Sequence, residues 1–143
     1  MKKTIFFLAT ILILTGCGKK GPEIINLKCT KTISDSKSSV VYENKYTYEE
    51  GKLTSAETDT TLTFTTEGAD NLETFKTYAE SSKDEYNKKA GVEAKLTTND
   101  TSINIIVKYN LDKMEKTEVE NNGFNNDLNT LREAKEKEGY TCK

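Results

Sequence analysis

Apolar and polar residues alternate along much of this chain, and the period changes with position. Between Ile24 and Ile33, the residues Ile25, Leu27, Cys29 and Ile33 fall on one side of an extended segment, with Lys31 interrupting the series; this predicts a first strand. Ser34-Asp35-Ser36-Lys37-Ser38-Ser39 is a Ser-rich loop. Val40 to Glu49 predicts a second strand in which Tyr42, Tyr46 and Tyr48 share a face at even spacing. Glu49-Glu50-Gly51-Lys52 supplies a turn. Leu53 to Thr66 follows as a long Thr-rich strand, with Ala56, Thr58, Thr60, Leu62 and Phe64 on one face. β-Branched Thr suits a half-buried pleated surface, and these two strands are expected to form a hairpin.

After Glu67-Gly68-Ala69 the spacing lengthens. Leu72, Phe75, Ala79, Ser82, Tyr86 and Ala90 recur in steps of three and four, which predicts a helix over Asn71 to Ala90. Asp70 and Glu73 are placed as a capping box, and Gly91 as the residue beyond the helix end. Alternation returns with Val92, Ala94 and Leu96, then with Ile103, Ile105, Val107 and Tyr109, as a second hairpin. Phe75 and Ile105 are expected to face each other between helix and sheet. Leu111 to Glu120 is charged and ambiguous, and Asn121 to Asn126 reads as a loop. Asp127 to Glu138 predicts a second helix with Leu128, Leu131 and Ala134 inward, ended by Gly139; Tyr140 to Lys143 is an extended tail. The expected fold is α+β: an antiparallel sheet of about five strands, in two hairpins plus an N-terminal strand, packed by two helices in the order β-β-β-α-β-β-α.

The N-terminus follows a different logic. Lys2 and Lys3 precede an uncharged apolar run from Ile5 to Leu14. That run is too short for a membrane-spanning helix, which needs ~20 residues, and suits a secretory signal peptide. Leu14-Thr15-Gly16-Cys17 resembles the lipobox of bacterial lipoproteins at all four positions. The resemblance implies a diacylglyceryl group on the Cys17 thiol, with palmitate-type acyl chains, and cleavage after Gly16. Two acyl chains suffice for stable anchoring, each buried methylene contributing ~0.8 kcal/mol. Residues 1–16 are then a removed signal peptide, 17–23 a lipidated Cys and tether, and 24–143 a single domain. The expected location is the cell membrane, facing outside the cytoplasm, or the outer membrane if the source is Gram-negative.

Cleavage leaves 127 residues with 19 basic and 23 acidic side chains, a net charge of −4. That balance gives no reason to expect nucleic acid. Mean hydropathy is −0.69, so the core is thin, as in any small domain. The chain has no His, which removes the usual general base near neutral pH and the commonest zinc ligand. Cys29 and Cys142 remain once Cys17 is lipidated. Outside the cell two such cysteines are more often paired than free, and a tail returning beside the first strand would bring them together.

Three constellations of residues suggest chemistry, and each has a plainer reading. Glu118 to Gly123 has the start of a calcium loop, but the twelfth position, where a bidentate Glu belongs, is Asn129; a solvated polar loop is preferred, and no metal or cofactor is expected. Tyr42, Tyr46 and Tyr48 offer a ligand surface for glycan or peptide, against the preferred reading that they cover the sheet beneath a helix. Glu57 with Asp59, or Glu49 with Glu50, would serve glycoside hydrolysis only across a cleft. Close pairs arise by chance among 23 acidic residues.

Tyr46 to Leu53, Tyr86 to Gly91 and Ile105 to Asp112, following a lipobox in a chain of this size, resemble the YehR-like family of small bacterial lipoproteins, which carry a domain of unknown function. The resemblance implies an α+β domain displayed outside the membrane and supplies no catalytic residues. The leading expectation is a non-enzymatic binding or interaction module whose partner is an envelope protein, a peptide or cell-wall material. The alternatives are a carboxylate-dependent envelope hydrolase and an accessory subunit of an envelope transporter. Cys17→Ser is expected to leave the precursor uncut and without acyl chains. Mass spectrometry of the detergent-phase protein checks this, and cleavage after Gly16 in the variant would contradict it.

Overall fold

The computed structural model describes residues 21–143. Cys17, its signal segment and residues 18–20 of the tether lie outside the described residues. Six strands form one antiparallel sheet: β1 (Ile24–Ser34), β2 (Ser38–Glu49), β3 (Lys52–Phe64), β4 (Val92–Thr98), β5 (Ser102–Asn110) and β6 (Thr141–Cys142). Their spatial order is β4-β5-β3-β2-β1-β6. A 3₁₀ segment (Thr66–Asn71) leads into α1 (Leu72–Asn87); α2 (Lys116–Asn121) and α3 (Leu128–Lys137) follow β5. The expected α+β class and strand–helix order hold, with the tail added as a sixth strand and a short helix, α2, in the ambiguous region.

β1, β2 and β3 run as a meander. The turn between β2 and β3 has only two residues, Glu50 and Gly51, with φ of 51° and 79°. Two successive positive φ values are what a type I′ hairpin demands. The next hydrogen-bonded stretch contains a bulge: Tyr48 pairs with Leu53 and Thr47 with Ser55, so Thr54 has no opposite number. The Thr54 hydroxyl donates to the Thr47 carbonyl at 3.3 Å. A bulge shifts the side-chain alternation by one, so Leu53 and Ala56, three apart, both point inward.

All helices lie on one face. α1 covers β4 and β5, and α3 covers β1 and β6. The main core joins Leu27, Cys29, Tyr46, Tyr48, Leu53, Ala56, Val107, Tyr109 and Leu131. Phe124 sits edge-on to Tyr109 and to Tyr46, with ring centroids 5.0 and 6.5 Å away. A smaller core of Phe64, Leu72 and Ile103 lies at the far end of the sheet. Gly68 is buried there, and a Cβ on it would come within 2.2 Å of the Lys37 carbonyl oxygen. Only glycine permits that approach of the 3₁₀ segment to the β1–β2 loop.

Several local expectations change. The 3₁₀ segment runs straight into α1, so Asn71 takes the cap position without a side-chain bond, and no Asp70–Glu73 box forms. α1 stops at Asn87, before Gly91. Asp127, placed within the second helix by its sequence, is instead the N-cap of α3, accepting from the Thr130 N–H at 2.7 Å. Lys31 shares the inward face of β1, yet its Nζ donates to the Glu138 carbonyl at 2.6 Å. It also lies 5.5 Å from the Tyr140 ring centroid. A cation at the end of α3 complements the carbonyls left unpaired there.

Phe75 does not face Ile105. It stacks at a tilt on Phe64, ring centroids 5.5 Å apart, and remains 45 % exposed, while Leu72 is 7 % exposed. The covered stripe of α1 runs through Leu72, Lys76, Ala79, Ser82 and Tyr86, so Leu72 enters the core and Phe75 lies at its margin. Leu72→Ala is therefore expected to cost ~2–4 kcal/mol and Phe75→Ala only ~1 kcal/mol, as measured by denaturant unfolding. The reverse order would disprove this helix orientation.

Candidate functional site

Antiparallel sheets commonly cover one face and leave the other to water. Here the uncovered face carries Asn26, Lys28, Thr30 and Thr32 from β1, then Glu43, Lys45 and Thr47 from β2. Ser55, Glu57, Asp59 and Thr61 follow from β3. One row crosses five strands in register: Lys28, Lys45, Glu57, Lys108 and Glu93. Its charges interlock. Lys28 and Lys45 reach Glu43 at 2.6 and 3.3 Å, and Lys45 and Lys108 reach Glu57 at 3.0 and 3.4 Å.

The electrostatics follow from these contacts. The hydrogen bond from Lys45 holds the Glu57 carboxyl below its ordinary value, with Lys108 adding to it. The bond from Lys28 does the same for Glu43. Lys45 is raised, chiefly by its bond to Glu57. All three groups are thus charged around neutral pH. Exposed pairs of this kind contribute little stability singly, but they fix side-chain positions across the face. Asn104 extends the pattern, its amide donating to Asp59 Oδ1 at 2.6 Å and to Thr61 Oγ1 at 2.9 Å.

At one end of this face is a groove of about 620 Å³. Its walls include Lys45, Glu57, Glu93, Lys108 and Lys113, with Thr47, Ser55 and Asn110 between them and Gly91 and Val92 at the rim. The groove has charges of both signs and several hydroxyl and amide groups, a set suited to a polar ligand bearing both charges. Glu93 is engaged by Lys95 at 3.1 Å.

Of the two readings of Tyr42, Tyr46 and Tyr48, the structure has the preferred one, a surface that covers the sheet beneath the helical layer, and the ligand surface is not available. Tyr46 and Tyr48 are 2 % and 1 % exposed, because their face of β2 is the one the helical layer covers. Tyr42 is half-buried, edge-on to Tyr140 at 6.3 Å. Burial pushes the Tyr48 and Tyr109 phenols up to about 12 and Tyr46 higher still, so all three stay neutral. Tyr48 donates to the Asn125 carbonyl at 2.9 Å and so holds the loop before α3. Phe124, read only as a loop residue, completes this aromatic cluster.

Cys29 and Cys142 are directly opposite one another in the β1–β6 ladder and joined by a disulfide, their Cα atoms 4.0 Å apart. Lys28 and Lys143, the adjoining pair, exchange backbone hydrogen bonds at 3.0 and 2.8 Å. Cys29 and Cys142 thus occupy a non-hydrogen-bonded position, where antiparallel strands bring side chains closest. Glu118, the first residue of the calcium-loop reading, is in α2 and accepts from Lys89 at 3.0 Å. Glu49 ends β2 and Glu50 is the first residue of the hairpin turn. Among the described residues, no group of three or more His, Cys, Asp or Glu is placed to hold a metal ion. No helix among them is long and apolar enough to cross a membrane.

No family model matches the chain, and no curated protein matches it. Among solved structures, it is similar to an NMR structure of a protein from Streptococcus pneumoniae TIGR4, with a TM-score of 0.57 at 13 % identity. The match covers 100 % of this chain and 98 % of that one. At that identity the likeness shows the fold alone.

The Glu57 geometry has a measurable consequence. A carboxyl whose folded pKa is depressed adds stability above its unfolded value and loses it as pH falls through the folded one. The Glu57 carboxyl ¹³C shift is expected to titrate below ~4.3, the ordinary Glu value. Lys45→Met and Lys108→Met should each move the midpoint upward. A midpoint unchanged by both substitutions would refute the cross-strand network.

Proposed function

We propose that this protein is a lipid-anchored, extracytoplasmic binding module of the cell envelope, without catalytic activity of its own. The lipobox-like Leu14 to Cys17 segment supports the anchor, and the resemblance to YehR-like lipoproteins agrees with it. The observation that carries the binding reading is the groove on the helix-free face, lined by Lys45, Glu57, Glu93 and Lys108. Its partner is an envelope protein, a peptide or cell-wall material presenting both charges and hydrogen-bonding groups. The fixed ion pairs pre-order the side chains, which lowers the entropy lost on binding.

A second reading draws on the same place, since two carboxylates, Glu57 and Glu93, line one groove, as a hydrolase would need. A general acid in such a mechanism requires a raised pKa. Glu57 is shifted the other way, by two lysines, which favours binding over hydrolysis.

Ser55 lies on the groove wall and contributes nothing to the core. Ser55→Arg is expected to reduce affinity capture of the partner from the protein's own membranes by at least ~10-fold, a change of ~1.4 kcal/mol. The melting temperature should stay within ~2 °C, as for a surface substitution. Turnover of a cell-wall glycan by the purified protein, with no specific partner recovered, would overturn the proposal.

A further inference from the structure

Both outer edges of the sheet are blocked near their middles, by different devices. On β4 the outward backbone of Ala94 is capped by one side chain: its N–H donates to Asn87 Oδ1 at 2.7 Å, and Asn87 Nδ2 donates to its carbonyl at 3.1 Å. On β1 the block is the two-residue strand β6, joined through Cys29 and Cys142. Free sheet edges invite another strand, and natural proteins cover or charge them.

The β1 edge is only partly covered. Its odd-numbered residues bond to β2, as shown where the ladder closes, by Glu50 N–H to Glu23 O and Asp35 N–H to Ser38 O at 3.0 and 2.9 Å. The even-numbered residues Ile24, Asn26, Thr32 and Ser34 therefore turn their backbone groups outward, and β6 reaches none of them. The two ends of the same edge are apolar, with Lys28 and Lys31 between them. Ile24, Ile25 and Ile33 are 56, 41 and 50 % exposed, and Val41, beside Thr32 on β2, is 42 % exposed. The β4 edge instead carries Glu93, Lys95 and Thr97.

We propose that the Cys29–Cys142 bond is a latch, and that opening it with a dithiol reductant lets β1 pair with β1 of a second copy of this chain. One reductant thiolate attacks a cystine sulfur and expels the other cysteine as thiolate. The second reductant thiol then closes on the mixed disulfide, leaving two protein thiols and an oxidised, cyclised reductant. Two electrons and two protons pass to the protein.

The register identifies the occupant. A two-fold axis at Cys29 sets Ile25 against the partner's Ile33 and Ile33 against the partner's Ile25. It sets the outward backbone groups of Ile24, Asn26 and Lys28 against those of the partner's Ser34, the partner's Thr32 and the partner's Thr30. Every contact occurs twice, as an isologous interface requires, and no lysine falls opposite a lysine. β6 offers two residues of pairing where a second β1 offers up to eleven. Lys31 to the Glu138 carbonyl, Tyr42 against Tyr140 and the Lys28–Lys143 backbone pair also hold the tail, and the covalent bond is the restraint among them that a reductant removes.

The full chain tests this in its own host. With Cys142→Ser and mild oxidation, a dimer is expected in which peptide mapping finds Cys29 joined to the partner's Cys29. Adding Thr32→Pro should abolish it, since the ring removes an outward N–H and leaves the β2 ladder intact. Independently, the wild-type chain treated with dithiothreitol should double its protein mass in density-matched sedimentation. A Cys142→Ser chain that stays monomeric overturns the proposal. So does one that dimerises equally well with Thr32→Pro, or one digested by protease as an unfolded chain. A reduced wild-type chain of unchanged mass overturns it too.

Discussion

The direction in which β3 side chains point governs the rest of the molecule. A strand alternates every two residues, yet Leu53 and Ala56, three apart, are both buried. The unpaired Thr54 resolves the conflict by shifting the alternation once, next to the turn. Without that shift, an inward Leu53 would carry Ser55, Glu57 and Asp59 into the helical layer, and Ala56 and Phe64 into water. A one-residue change of register thus separates this fold from one with buried carboxylates, which would be far too costly to form. Tyr46, Tyr48, Tyr109 and Phe124 then close over the inward set as an aromatic layer.

The same alternation creates the uncovered face. Because all three helices gather on one side, the opposite side keeps its Lys, Glu, Thr and Asn residues in water, ordered by the strands rather than by loops. Lys28, Glu43, Lys45, Glu57 and Lys108 form one connected chain of opposite charges. A surface of this kind is polar and ordered by the strands that carry it. Recognition there would rest on placement of charges and hydrogen bonds more than on buried area.

Sequence periodicity was sufficient for the strands, the two hairpins, the helix existence and the pairing of Cys29 with Cys142, because each rests on spacing or on simple counting. It was insufficient wherever a residue's role depends on a distant neighbour. Lys31 looked like a defect in an apolar stripe until α3 placed a carbonyl within its reach. Phe124 looked like loop, since a single aromatic residue has no period. Phe75 matched the helical stripe, but at its level the covered side of α1 passes through Lys76, and Phe75 lies beside it against Phe64. The tyrosines of β2 were correctly assigned to one face, while the choice between ligand surface and core depended on which face the helices took. The groove had no local signature, because its residues come from four strands and from Gly91 and Lys113 outside them.

The disulfide also joins the beginning of the fold to its end, 113 residues apart in sequence. β1 is made before β2, its inner neighbour, and β6, its outer neighbour, follows only after every other element of the fold. At ~5–20 residues per second, the usual pace of synthesis, roughly ten seconds pass in which β2 can already pair with β1 while the other side of β1 is bare. The thiol of Cys29 must wait, unoxidised and unmispaired, through that interval. The bond therefore records that synthesis has passed Cys142: a product truncated before that residue remains distinguishable, by its free Cys29 thiol, from one that contains both cysteines.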